Sequence, residues 1–258
     1  MSTLTGLNVL LTRARHQIEA PARRLRELGA NVICLPLIEI APPESWELFD
    51  QAVERISDYD WVIFASANAV ESFFNRLKVL GKTNVSAPRF ATIGPRTSER
   101  LRTFGHTAAF EAEEFIAEKF VTGFPASAGE RVLWPKANIG RMLIADELKR
   151  KGATVDTVHV YQSILPSNAE TLATELELLI VEKSIDVITL ASSQTVRNLR
   201  TLLGMVQMPT SALESVIVLA IGPETAKTAV EQLGKCDAQA AEYTVDGMID
   251  SLLSLHRL

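Results

Sequence analysis

The chain has 258 residues, 47% of them hydrophobic and 22% charged, with a formal net charge of −5. This is the composition of an ordinary globular protein with room for one large or two ordinary domains. The negative balance argues against general nucleic-acid binding, and no apolar run approaches the length of a membrane span. The first eight residues lack the basic start and apolar core of a signal peptide, so a cytosolic protein is expected. Cys34 and Cys236 have no metal-ligand neighbours and read as packed thiols in a reducing compartment.

Taken in order, Leu7 to Thr12 (LNVLLT) reads as a strand, followed by Arg13 and a helix through Ile18, Ala22, Leu25 and Leu28 that stops at Gly29. Val32 to Leu35 is a second strand. Pro36 to Pro43 (PLIEIAPP) is punctuated by prolines and suits an edge strand or connector. An amphipathic helix is expected over Glu44 to Ile56, with Leu48 on its apolar face. Trp61 to Ala65 is a strand, and Ser66-Ala67-Asn68 opens a helix in which Asn68 and Glu71 have capping-box spacing. A strand leads into Ile93-Gly94-Pro95. Thr107 to Phe110 and a short helix near Phe115 to Val121 come next, and Glu111, Glu113 and Glu114 read as a solvated helix start. Arg131 to Trp134 is a strand that leads through Pro135, Lys136 and Ala137 into a helix ended by Gly152. Thr154 to His159 is a strand, and Val160 to Pro166 (VYQSILP) is a second candidate connector. Asn168 to Lys183 is a helix and Asp186 to Ala191 a strand. Ser192-Ser193 opens a helix, then come a second Gly-Pro turn at Gly222, a strand near Ala238 and a closing helix, Asp246 to Leu255.

The chain repeats itself. Ile93, Gly94, Pro95 and Thr97 match Ile221, Gly222, Pro223 and Thr225 at an offset of 128; DWVIFASANAV lines up with DVITLASSQTV, and VLLTRA with VLWPKA. The halves, near 1–125 and 126–258, are thus two copies of one βα-rich unit. Strands alternating with helices imply parallel sheets covered on both faces, with ligands beyond the strands' carboxyl ends.

Each turn has a structural and a functional reading. Pro at the first helical position costs no hydrogen bond, and the free N–H groups of that turn can hold an anion. Ser66, Ala67, Asn68, Ser192, Ser193 and Gln194 are N-cap sequences whose hydroxyls and amides can also meet ligand carboxylates. Arg13 and Lys136 follow equivalent strands, either as solvated charges or as paired carboxylate clamps. Tyr161, one of three tyrosines, lies in a connector, where it is either an interface aromatic or a site residue. The histidines, His16, His106, His159 and His256, form no metal-ligand spacing. Gly-rich phosphate loops, a nucleophile elbow and Cys-x-x-Cys are missing from the sequence.

The succession VLLTRA, LPLIEIAP, FASANAV, ATIGPRT, VYQS, LASSQTV and AIGPETA resembles uroporphyrinogen-III synthase over essentially the whole chain. The resemblance implies an α/β fold of two Rossmann/flavodoxin-like parallel-sheet lobes joined by a two-stranded hinge. One lobe is expected at 1–36 plus 166–258, the other at 42–158, with 37–41 and 159–165 as hinge strands and the ligand cleft between the lobes. It implies a cofactor-independent hydro-lyase that cyclises hydroxymethylbilane, a linear tetrapyrrole with eight carboxylates, to uroporphyrinogen III with inversion of ring D. Hydroxymethylbilane synthase would supply the substrate, and neither nucleic acid nor membrane is implied as a partner. The enzyme is expected to act as a monomer. Tyr161 matches the family's general acid for hydroxyl loss. Thr97 matches a cleft threonine, and Ser66, Asn68, Ser192, Ser193, Gly222 and Thr225 fall in ligand-facing loops. Glu224 departs from the small polar residue natural beside an anionic ligand. The alternatives are a two-lobed small-ligand binding protein and a nucleotide-dependent transferase.

Overall fold

The computed structural model describes residues 3–82, 88–112, 117–125, 127–140 and 142–256. The strands, in chain order, are β1 (Asn8–Leu11), β2 (Asn31–Cys34), β3 (Glu39–Ala41), β4 (Trp61–Phe64), β5 (Arg89–Ile93), β6 (Phe110–Ala112), β7 (Arg131–Ala137), β8 (Thr154–Ile164), β9 (Val187–Leu190), β10 (Ile217–Ala220) and β11 (Ala238–Gln239). The helices are α1 (Glu19–Glu27), α2 (Glu47–Glu54), α3 (Ala67–Val79), α4 (Pro95–Thr103), α5 (Ala117–Gly123), α6 (Leu143–Arg150), α7 (Ala169–Val181), α8 (Ser193–Met205), α9 (Pro223–Leu233) and α10 (Val245–Leu255). They form two compact units. The first joins Met1–Glu39 to Ile164–Leu258, and the second is Ile40–Ser163.

The first unit is a parallel sheet in the order β11-β10-β9-β1-β2. Its strands are apolar on both sides because both faces are covered, as parallel sheets require. Leu10, Ile188, Leu190 and Val218 pack under α7, α8 and α9. Their strand neighbours Val9, Leu11, Val187 and Leu219 pack under α1 and α10. In the second unit the order is β3-β8-β7-β4-β5-β6, with β4 to β8 parallel. Val62, Phe64, Phe90 and Leu133 face α2 and α3, and Trp61, Ile63, Val132 and Trp134 face α5 and α6.

The sequence repeat maps β1 and β2 onto β7 and β8, and β9, β10 and β11 onto β4, β5 and β6. With that correspondence the two sheets have the same spatial order. The chain visits the parts differently: the first unit takes its opening βαβ from the first sequence half and the rest from the second, and the second unit does the reverse. The compact units are therefore not the sequence halves.

Several local expectations change. The N-cap of α3 is Ser66, whose hydroxyl accepts from the Ala69 N–H, so Asn68 lies inside the helix instead of capping it. Strand β7 continues through Pro135 to Ala137. Beyond Leu133 it pairs with β8 and no longer with β4, and there a residue without an N–H is tolerated. The supposed connector at 160–164 is the continuation of β8. The proline-marked β3 is an edge strand. Leu48 is 65% exposed, and Cys34 is exposed on the edge strand β2, so it is not a packed thiol. Glu111 belongs to β6, where its carboxylate accepts from Ser98. Glu113, Glu114 and Phe115 lie outside the described residues.

Candidate active site

Because the strands of the first sheet and β4 to β8 of the second run parallel, their carboxyl ends gather on one edge of each sheet, and most sequence-predicted site residues fall there. In the second unit this edge carries Tyr161 and Lys136 on β8 and β7, Ser66 after β4, and Gly94 after β5. Strand order reverses between β7 and β4, the position where open α/β sheets form a ligand crevice.

Tyr161 reaches that position through an irregularity in the ladder. Lys136 pairs with His159 and Ala137 with Tyr161, which leaves Val160 as an extra residue on β8. Val158 and Val160 face the core under α3, and strict alternation would turn Tyr161 to the other side. The extra residue returns Tyr161 to the face of Val158 and Val160, as bulges commonly do. Its hydroxyl then lies 3.1 Å from the Ser66 hydroxyl. Tyr161 is only 9% exposed; burial pushes its pKa up, and the bond with Ser66 opposes that rise.

Thr97 is buried, and its hydroxyl donates to the Ile93 carbonyl at 3.0 Å, so it braces the Gly94 turn. Below that turn the buried Thr92 and Ser98 pair at 2.6 Å, and Ser98 also donates to the exposed Glu111 at 2.5 Å, a polar link that sequence patterning did not signal. Gly94 has φ 88° and ψ 152°, a region essentially reserved for glycine. Ala67 and Asn68 are half-buried in the first turn of α3. Lys136 is buried, and its Nζ donates to the carbonyls of Ala137 and Ile139 at 2.8 and 3.2 Å. It thus ties down the loop after β7, while burial lowers its pKa.

In the first unit, Arg13 follows β1, Ser192 and Ser193 follow β9, and Gly222 and Thr225 follow β10, all on that sheet's carboxyl edge. Arg13 donates to Gln17 at 2.9 Å. Ser192 caps α8 by accepting from the Thr195 N–H and pairs with the Thr195 hydroxyl at 2.8 Å. The Ser193 hydroxyl donates to the Glu224 carbonyl at 3.2 Å and accepts from Thr228 at 2.8 Å, joining the starts of α8 and α9. Thr225 is buried. Tyr243, which sequence reasoning passed over, is 58% exposed and lies against Gly222, where an added Cβ would come within 3.2 Å of its ring.

The second unit's edge thus sets a buried phenol against a serine hydroxyl, beside the starts of α3 and α4. Among the described residues no group of three or more His, Cys, Asp or Glu is placed to hold a metal ion, and no helix is long and apolar enough to cross a membrane. The family described as uroporphyrinogen-III synthase HemD matches residues 19–250. The chain belongs to the uroporphyrinogen-III synthase family. A uroporphyrinogen-III synthase of Synechococcus elongatus is 38% identical over 95% of this chain and 94% of its own length. In fold, the chain is similar to a mutant uroporphyrinogen III synthase of Thermus thermophilus, with a TM-score of 0.64 at 15% identity, covering 98% of this chain and 100% of the other. The Helicobacter pylori uroporphyrinogen-III synthetase is equally similar, with a TM-score of 0.64 at 17% identity, covering 96% of this chain and 99% of the other. Two α/β lobes with parallel sheets are therefore the family's architecture as well as this chain's.

Proposed function

We propose that the chain catalyses its family's reaction, the cyclisation of hydroxymethylbilane to uroporphyrinogen III with loss of water and inversion of ring D. The observation that carries this reading is the 38% identity to a uroporphyrinogen-III synthase across 95% of the chain. The open-chain substrate closes to the symmetric isomer I unaided, so the enzyme's main task is to control the shape of a flexible polyanion. Helix starts at the carboxyl edges suit that task, since their N–H groups favour carboxylates. In this reading Ser192, Ser193, Gly222 and Thr225 in one unit, and Ala67, Asn68, Gly94 and Thr97 in the other, border the substrate. Arg13 adds a charge, and Lys136 acts through the loop it holds.

Tyr161 is the proposed proton donor. The C–O bond of the hydroxymethyl group breaks, the Tyr161 proton goes to the departing oxygen as water forms, and the pyrrole nitrogen's electrons complete an azafulvenium cation, balanced by the Tyr161 phenolate. Attack through the substituted carbon of ring D gives the spiro-pyrrolenine, which fragments and recloses. The proton lost from the unsubstituted carbon of ring D at the final closure returns to the Tyr161 phenolate and restores the balance. Stretches 37–41 and 159–165 are proposed as the hinge, a role supported by the chain's crossing between its two units there. The enzyme is proposed to act in the cytosol as a monomer supplied by hydroxymethylbilane synthase.

The test is incubation with fresh hydroxymethylbilane, oxidation of the products and chromatographic separation of the porphyrin isomers. Predominant isomer III is expected. Isomer I alone, at the rate seen without protein, would overturn the assignment.

A further inference from the structure

We propose that Ser66 is a positioning residue for Tyr161: its hydroxyl donates to the phenolic oxygen, leaving the Tyr161 proton free for the substrate. This goes beyond a carboxylate-binding role for Ser66 and rests on the reading of Tyr161 as proton donor.

Either oxygen can be the donor at this distance, and what Ser66 already does favours its own O–H. Ser66 is the N-cap of α3, and its Oγ accepts from the Ala69 N–H at 3.1 Å. One of its two lone pairs is used in this way, while its own O–H can go to Tyr161, 3.1 Å away. The chain Ala69 N–H, Ser66 O–H, Tyr161 oxygen is then aligned donor to acceptor, and each bond polarises the next. It begins at the positive end of a thirteen-residue helix. When Tyr161 gives up its proton, the negative charge appears at the end of this chain and is met by a donor already in place. The reverse arrangement, Tyr161 donating to Ser66, would bind the proton that the reaction needs. Burial of Tyr161 acts against ionisation, and Ser66 is the partner that opposes burial.

The duplicated serine shows that capping does not require this contact. Ser192 caps α8 in the same way but pairs with the hydroxyl of Thr195. Position 195 corresponds to Ala69 in α3, where no hydroxyl competes for the serine, and the bulge at Val160 brings Tyr161 instead.

The two directions of donation differ in sign, which makes a test possible. A donor to the phenolic oxygen lowers the phenol's pKa, whereas an acceptor of its proton raises it. The probe is the full-length protein carrying 3-fluorotyrosine, titrated by 19F NMR. The chain has three tyrosines, so Tyr59→Phe and Tyr243→Phe assign the signals. Tyr59 donates to Asp156 at 2.6 Å and is pushed up to about 12, which separates it further. Ser66→Ala is expected to raise the Tyr161 pKa and to lower kcat by about tenfold with little change in KM, as loss of a bond to a charged group does. Ser66→Thr, which keeps a hydroxyl and the cap, is expected to restore both. An unchanged or lowered Tyr161 pKa in folded Ser66→Ala would overturn the proposal. So would a kcat loss that Ser66→Thr fails to rescue. Failure of the underlying reading looks different: Tyr161→Phe would keep full turnover while the titration still showed the Ser66 effect.

Discussion

The two units carry the same pair of turns at their carboxyl edges and use them in different ways. Gly94 and Gly222 stand in the same Ile-Gly-Pro sequence, yet Gly94 has φ 88° and Gly222 is fully extended at φ −176°. The first is glycine because the backbone turns through a region closed to side chains. The second adopts angles open to any residue, and what an added Cβ would meet there is the exposed Tyr243 ring. Ser66 and Ser192 diverge likewise: both cap a helix, but one meets a tyrosine and the other a threonine of its own helix. Duplication has preserved the local element, while its neighbours have given each copy a separate reason to persist.

Alanine at the two glycines tests this distinction most directly. Gly94→Ala places a Cβ at positive φ and is expected to cost about 2–3 kcal/mol, near the upper end for such strain. Gly222→Ala is expected to cost less than about 1 kcal/mol, because an exposed ring at 3.2 Å can move aside. Denaturant unfolding measures both, and Tyr243→Ala supplies the decisive cross: it should abolish the Gly222→Ala penalty and leave that of Gly94→Ala intact. Equal penalties in all backgrounds would mean that the two glycines serve one purpose after all.

Much of this architecture is legible in the sequence. Alternating βα periodicity and the internal repeat point to parallel sheets covered on both faces, and the prolines around Glu39 mark an edge strand. The exchange of parts between sequence halves follows from the resemblance alone, since no local pattern records which sheet a strand joins. Strand β7 reads too short because Pro135 looks like a terminator until its missing neighbour on the β4 side is known. At the site, residue types and edge positions are legible because strand ends and Gly-Pro turns have sequence signatures. Partners are not. The burial of the Lys136 ammonium among carbonyls, the seat of Tyr243 on Gly222 and the bulge that turns Tyr161 toward Ser66 depend on contacts that no local pattern encodes.

The serine caps offer the next sharpening. Ser66→Ala and Ser192→Ala each remove a side-chain acceptor from a helix start, so each is expected to cost about 1 kcal/mol in denaturant unfolding. The two variants should part company in the fluorotyrosine titration, where only Ser66→Ala moves the Tyr161 signal. A shift of equal size from Ser192→Ala would show that the effect travels through general loosening, not through the Ser66 hydroxyl.

The smallest expected difference lies where the helices after the Gly-Pro turns end. Beyond α4 the chain places His106 against the Phe74 and Phe90 rings, at centroid distances of 4.9 and 5.0 Å. Beyond α9 the corresponding stretch carries Cys236 and no histidine. Burial lowers the His106 pKa from 6.5, because the charged imidazolium loses water among the rings. The unfolded chain therefore takes up a proton as pH falls through about 6.5, while the folded chain does so only at lower pH. Stability is full above that range, declines as pH falls between the two values, and levels off below the folded one. His159 adds to the same slope, since its pKa is lowered by burial and by Lys136, with Glu44 opposing. His106→Phe keeps an aromatic ring in place and removes the titration, so the gap in Tm between about pH 7.5 and about pH 5.5 should narrow. An unchanged gap would assign the acid sensitivity to His159 or to the carboxylates, and leave His106 as packing alone.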